Sequence, residues 1–506
     1  MFLEFILTIL VVLLFYSGVW KVSYWRRNGI ISPRGYPICG NMWKFVLTKK
    51  HFGAIYEDIY NAYADLPYVG IYRIFNEPSI LVHDQDVIKD IMIRRFTHFQ
   101  DNVLWVDEER DPLACCNPFI AKGEKWKQYR SDIVPIFTQS KVKLSFAKIQ
   151  KACSEMDKYV EIHLDENCFE AKELFSKYLL NVVASTAFGF NADLFSNTKS
   201  EFTKLVSHIF LPKMFSLIET ISLLFSPAIN KLTKYHYIPK PTQQWLYSIL
   251  TENVYQRLNP NDISPPTSGG IYSDYIQWLI DTKTKHNEPI DITTIIGHCS
   301  TFLLEGFETS SSLMAFAIYE FAKNAPVQYR VLQEIDEVLE RYNGVLSYEA
   351  LQEMSYLEAS LYETLRLYPV MAALLKHCTK PFTLQPQKQG GKAFTVPKGM
   401  VMVIPVKAIH YDENLYPEPL KFQPDRFIDA NEKQRLGCMY LGFGEGPRMC
   451  PGTRLALAQS KAGLVTLLSK YFVYLAGKTK NPLKISTTTF LTAADDGIWI
   501  SFKPRK

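Results

Sequence analysis

The stretch that decides the reading of this chain is Phe443-Gly444-Glu445-Gly446-Pro447-Arg448-Met449-Cys450-Pro451-Gly452. A cysteine that ligates a metal needs a loop that holds its sulfur within bonding reach while backbone N–H groups point at it. Gly446 and Gly452 permit close approach and unusual dihedral angles, and Pro447 and Pro451 stiffen the loop. The following segment, 453–469, is helical in pattern, so a helix N-terminus is expected to face the thiolate and stabilise its charge. A lone cysteine is ordinarily a buried thiol in a turn. One set in register with Phe443, Gly446, Arg448 and Gly452 is not.

Working outward, Glu363-Thr364-Leu365-Arg366 places an acid and a base one helical turn apart on a single face. Pro424-Asp425-Arg426-Phe427 supplies a second arginine. Trp126 and Arg130 share a helix face at i and i+4. Residues 292–323 form an apolar stretch of helical length that contains Leu303-Leu304-Glu305-Gly306-Phe307-Glu308-Thr309-Ser310. A second membrane span is the alternative there, and it is disfavoured because Glu305 and Glu308 would lie near mid-bilayer without partners. A buried central helix fits better, with Gly306 letting it open locally.

The cysteine loop resembles the haem-binding loop of the cytochrome P-450 superfamily, and the other motifs stand in that family's order along essentially the whole chain. The resemblance implies haem b with its iron ligated by Cys450, Phe443 beside it and Arg448 paired with a haem propionate. It also implies that Trp126, Arg130 and Lys376 reach the haem propionates, and that Glu363, Arg366 and Arg426 form a structural ion network behind the loop. Thr309 and Glu308 look like the family's alcohol–acid pair that delivers protons for O–O cleavage. Members that only rearrange peroxides tend to lack that pair, which counts against an isomerase or synthase. A silent haem or lipid carrier would have no use for Cys450, Arg448, Thr309 and Glu308 together. One residue departs from the common pattern: Glu305 stands where most relatives carry alanine or glycine. In a branch resembling fatty-acid ω-hydroxylases such a glutamate becomes esterified to a haem methyl. The neutral acid bonded to water and the anion that recognises a basic substrate group are the competing expectations. The rest of the chain looks like the broad-specificity microsomal branch of animals.

The resemblance further implies a mainly α fold with a smaller β part, a monooxygenase acting on a lipophilic small molecule, and electrons from an NADPH-dependent flavoprotein reductase, with cytochrome b5 as an accessory donor. The basic run of Lys122, Lys125, Lys127 and Arg130 either docks that reductase or is a solvated helix face. The uncharged residues Val370 to Leu375, with Phe302 and Phe490, are expected around the substrate, since apolar walls gain from desolvation.

Bulk properties agree. The chain has 506 residues, 47 % of them hydrophobic and 14 % aromatic, enough for a large interior, and its net charge of +5 is too dispersed for a nucleic-acid partner. Nine scattered cysteines without CxxC spacing point to reduced thiols. Residues 5–20 (FILTILVVLLFYSGVW) are uncharged and followed by Lys21, Arg26 and Arg27. That order predicts a signal anchor with the body on the cytosolic face of the endoplasmic reticulum membrane, rather than a cleaved signal or a buried helix. We divide the chain into an anchor (1–22), a basic, proline-containing linker (23–45) and one catalytic domain (46–506). Strands are expected at 68–74 and 79–82, forming a hairpin, and at 401–405, 482–487 and 497–502. The apolar segment 202–224 is equally compatible with a buried helix pair and with a surface dipping into the bilayer.

Overall fold

The apolar run at the start is helical, α1 spanning Phe2–Lys21, in a computed structural model that describes residues 2–166, 168–196, 202, 217–224, 236–258, 274–286, 288–429 and 437–505. Half of the side chains of α1 lie outside the described residues, and the expectation of an anchor falls partly on them. Among the described residues no helix is long and apolar enough to cross a membrane. Residues 23–45 lie against the body. Trp25 is fully buried and donates its indole N–H to the Ile71 carbonyl at 2.8 Å, and Gly70 donates its N–H to Ile31 at 3.0 Å.

The expected hairpin forms from β1 (Tyr68–Tyr72) and β2 (Pro78–Val82), antiparallel with Gly70 opposite Ile80. Its turn, Ile74–Asn76, takes up the end of the predicted first strand. The remaining strands are β3 (Asp101–Asn102), β4 (Phe169–Glu170), β5 (Leu374–His377), β6 (Phe382–Leu384), β7 (Phe394–Val396), β8 (Val401–Ile404), β9 (Tyr471–Leu475) and β10 (Trp499–Pro504). They form sheets of order β1-β2-β8-β5-β3, β4-β10-β9 and β6-β7. The strand expected at 482–487 is reduced to a single bridge between Ile485 and Ala494, because turns on both sides leave no partner to extend along.

The helices that position the site are α2 (Gly123–Ile133), α3 (Gln139–Ile162), α4 (Ala171–Val183), α5 (Ile292–Lys323), α6 (Ser355–Leu367) and α7 (Thr453–Leu468). The bounds of α5 follow from its ends. Asp291 caps it by accepting from the Thr293 and Thr294 N–H groups at 3.1 and 3.2 Å. Pro326, at the start of the next helix, stops it after Asn324. From Ser310 to Phe321 every residue is buried. A helix buried all round is a core helix, which settles the choice between central helix and second span. One hydrophobic cluster takes in residues from Trp25 to Phe502, so a single core serves the α and β parts.

Of segment 202–224, Phe202 packs against the rings of Phe190 and Trp245, and Thr220 and Leu224 are buried. Residues 203–216, on which a bilayer contact would depend, lie outside the described residues. All nine cysteines are free thiols.

Candidate functional site

The Cys450 loop is built by backbone constraints. Gly446 has φ +76°, and a Cβ there would drive into the Met92 carbonyl oxygen, so glycine is required on both counts. Gly452, expected to need the same freedom, has φ −87° and serves as the residue before α7. Here the structure corrects the expectation, and Gly444 (φ +71°) takes that place. The Cys450 N–H donates to the Phe443 carbonyl at 2.8 Å, closing the loop, and the Phe443 ring lies 6.0 Å from that of Tyr362. Cys450 is exposed by surface area, yet protein crowds it closely enough that burial dominates and pushes its thiol pKa up. The Gly452 N–H, the Thr453 hydroxyl and the Arg130 charge pull the other way. Those donors stand where the helix N-terminus was expected.

Behind the loop, α6 delivers the ion network. Arg366 grips Glu363 with two parallel bonds of 2.7 and 2.8 Å, both side chains fully buried. The remaining guanidinium donors reach the carbonyls of His410 (2.8 Å) and Lys421 (3.2 Å). Gln423 N–H donates to Glu363 Oε1 at 2.9 Å, and Arg426 Nε stands 3.4 Å from the same oxygen. His410 joins this network to the cysteine loop, a role that sequence reasoning missed. The Leu441 N–H donates to Nε2 at 2.9 Å, so Nδ1 carries the proton and donates to the Arg366 carbonyl at 3.1 Å. Burial and the Arg366 charge lower its pKa to about 3, keeping the imidazole neutral.

A second cluster gathers Trp126, Arg130, Lys376 and Arg448. The Trp126 Nε1–H is buried with no hydrogen-bond partner among the described residues, and the Arg448 guanidinium carbon lies 5.0 Å over the Trp126 ring. Burial lowers the pKa of Arg130. Burial and Arg448 lower that of Lys376 to about 7, its ammonium resting 2.7 Å from Asn102 Oδ1. Burial lowers Arg448 to about 10. Its terminal nitrogens donate to the carbonyls of Gln100, Pro118 and Ala121, with Asp101 at 3.6 Å. Among the described residues only its Nε is without a hydrogen-bond partner, so its terminal nitrogens brace the loop and the Nε is the donor left for the propionate expected there. Depressed cation pKa values and an orphaned indole N–H describe a site short of anions. The donor set therefore fits haem b, whose two propionates would take Trp126, Arg130 and Lys376.

On the opposite side, α5 presents the remaining residues. The Thr309 hydroxyl donates to the Glu305 carbonyl at 2.7 Å. Glu305 Oε1 accepts from Asn117 Nδ2 at 2.8 Å, and burial raises its carboxyl pKa against that bond. The Glu305 charge also raises the Cys450 thiol, so the carboxyl lies within electrostatic reach of the sulfur. The helix is continuous through Gly306, so the local opening expected there is absent. Its carbonyl accepts instead from Gln459 Nε2 at 3.2 Å, and Gln459 also donates to the Ser310 hydroxyl at 2.9 Å. Glu308 stands 3.0 Å from Lys172 Nζ.

Met371, Ala373, Leu374, Leu375 and Phe490 line an apolar pocket with Val103, Leu104, Phe119 and Leu224. Phe302 is not among them. It stacks into Phe137 and Tyr275 at 5.1 and 4.2 Å, because its phase on α5 turns it into the helical core. Lys125 and Lys127 pair locally with Glu108 and Glu124, which dilutes the expected basic face.

A profile of the Cytochrome P450 family matches residues 31–500. "Probable cytochrome P450 308a1" of Drosophila melanogaster is 42 % identical over 495 residues, 96 % of each chain. "Cytochrome P450 6j1" of Blattella germanica is 30 % identical over 480 residues, 95 % of this chain and 93 % of its own. "Probable cytochrome P450 6a23" of Drosophila melanogaster is 31 % identical over 503 residues, 97 % of each. With full-length insect relatives and a site of this chemistry, the chain belongs to the cytochrome P450 family of haem-thiolate monooxygenases.

Proposed function

We propose that this enzyme inserts one oxygen atom of O2 into a lipophilic small molecule, using electrons from an NADPH-dependent flavoprotein reductase, with cytochrome b5 as an accessory donor. The observation that carries the reading is the link from the apolar pocket to α5: Phe119, which lines the pocket, donates its N–H to Asn117 at 2.8 Å, and Asn117 holds Glu305, whose charge reaches the Cys450 thiol. The bound haem supplies the reductive activation of dioxygen. Cys450 would ligate its iron, and the Gly452 N–H and Thr453 hydroxyl hold the sulfur's charge. Trp126, Arg130 and Lys376 would hold the propionates. Met371, Leu375 and Phe490 exclude water from the substrate. The run 5–20 with its trailing Lys21, Arg26 and Arg27 supports a membrane anchor (1–22) that places residues 46–506 on the cytosolic face of the endoplasmic reticulum.

Thr309 passes protons to the reacting oxygen, and Glu308 supplies them. Its hydroxyl, parked on the Glu305 carbonyl, has only to turn to serve. Thr309→Ala is expected to lower product per NADPH by roughly tenfold or more, with hydrogen peroxide making up the difference. The measurement is NADPH, peroxide and product in one reaction. Unchanged coupling would remove Thr309 from the mechanism.

For Glu305 we propose a neutral acid held by Asn117 rather than an ester to the haem. Burial favours the protonated form, and the carboxyl is already engaged at 2.8 Å. After turnover, acid denaturation and organic extraction should strip the haem completely from the polypeptide. Haem that stays with the native chain but leaves Glu305→Ala would establish the ester instead.

A further inference from the structure

Lys172 lies in the first turn of α4, and its side chain ends on α5. The ammonium donates to the Glu308 carbonyl at 2.7 Å, the Ser311 hydroxyl at 2.8 Å and the Ser312 hydroxyl at 2.6 Å. It also stands 3.0 Å from Glu308 Oε1. An ammonium has three donors, and here a carbonyl, two hydroxyls and a carboxylate surround them. Protein crowding lowers the pKa of Lys172, and the Glu308 and Glu170 charges oppose that shift. The Lys172 and Glu308 side chains are each 29 % exposed, so the pair stands at the border between water and the helix interior. The next residue, Thr309, has its hydroxyl bonded inward at 2.7 Å. Neighbouring helical residues project about 100° apart, so a glutamate that serves Thr309 must be held at a fixed bearing, and a glutamate left to itself rotates about three torsions.

We propose that Lys172 is the positioning residue for Glu308, fixing its carboxylate where it takes a proton from water and passes one toward Thr309. The proposal rests on the reading of Glu308 and Thr309 as the proton-delivering pair. In the step, the carboxylate gains a proton on the solvent side and releases one on the Thr309 side. No electrons move, and Lys172 keeps its own proton. Lys172 is not among the residues lining the apolar pocket, so substrate affinity is not its concern.

The test uses the full-length holoenzyme with reductase and NADPH, comparing Lys172→Met, Glu308→Gln and the double variant. Methionine keeps the length and removes the charge. Ser311 and Ser312 retain their bonds to the Glu308 carbonyl at 3.1 and 3.0 Å, so no buried hydroxyl is orphaned. Lys172→Met should lower product per NADPH by roughly tenfold, with peroxide rising, while KM, haem content and the reduced carbon monoxide spectrum stay as in the native protein. The double variant should be no worse than Glu308→Gln alone, because groups acting as a unit are not additive. Should Lys172→Met lose haem, Lys172→Gln provides the same test with an amide donor in place of the charge. Native coupling in the lysine variants beside an uncoupled Glu308→Gln overturns the proposal, and so does a double variant that multiplies both losses. Native coupling in Glu308→Gln itself overturns the underlying pair, and the proposal with it.

Discussion

Cys450→Ser should abolish the red-shifted Soret band of the carbon monoxide adduct and all NADPH-supported oxidation. The loop supplies one sulfur within electrostatic reach of Glu305, held by the Phe443 carbonyl at 2.8 Å through its own N–H. Serine fits that loop without strain, so the variant should fold and still take up haem through Trp126, Arg130 and Lys376. An alcohol at this position stays protonated where a thiol ionises, and the electron density that a thiolate pushes toward the bound oxygen is lost with it. Haem content, the carbon monoxide difference spectrum and product formation separate these effects. Survival of the red-shifted band in Cys450→Ser would mean that another residue holds the iron.

Arg366→Leu should be the most damaging change outside the haem loop. It breaks the buried pair and leaves the Glu363 carboxylate to the more distant Arg426 guanidinium at 3.4 Å, a loss that costs about 3–5 kcal/mol. It also strips a donor from the His410 and Lys421 carbonyls. Against a typical folding stability of about 5–15 kcal/mol, most of the protein should accumulate without haem and unfold at lower temperature. His410 hands the disturbance to Leu441 and so to the cysteine loop. Arg366→Lys restores the charge without the two-pronged grip and should recover only part of the loss. Thermal unfolding and haem per polypeptide measure both variants, and a native Tm in Arg366→Leu would show that the pair is not structural.

What the sequence made legible was what chemistry or periodicity imposes locally. The cysteine loop is ten consecutive residues, and the bounds of α5 follow from Asp291, Asn324 and a mostly apolar stretch of helical length between them. The illegible parts are single polar residues that act across long separations. Asn117 is 188 positions from Glu305, Lys172 is 136 from Glu308, and Gln459 is 149 from Ser310. No window of neighbours distinguishes such a residue from a solvated one, because its partner is chosen by tertiary packing. His410 is nearer to Arg366, 44 positions away, but nothing in its flanks marks it. The strand Leu374–His377 is hidden for another reason: its four residues are too few to show a period, and Leu374 and Leu375 read as pocket wall and Lys376 as a propionate partner. Phe302 went astray through helical phase, where a rotation of one residue exchanges the pocket for the core.

Gln459 holds α7, the helix that begins behind the cysteine, to α5 on the far side of the reaction space. Its backbone carbonyl is itself fixed by the Tyr178 hydroxyl at 2.9 Å. This amide thus joins the direct packing of Met314 on Gly463 in setting the separation of the two walls, as a spacer bar sets the opening of a slot. A tilt of α5 provoked by a bulky substrate cannot be absorbed on its own side. It must either break the amide's bonds or drag α7, and with it the root of the thiolate loop. Substrates of increasing bulk are therefore expected to perturb the thiolate loop as well as the pocket.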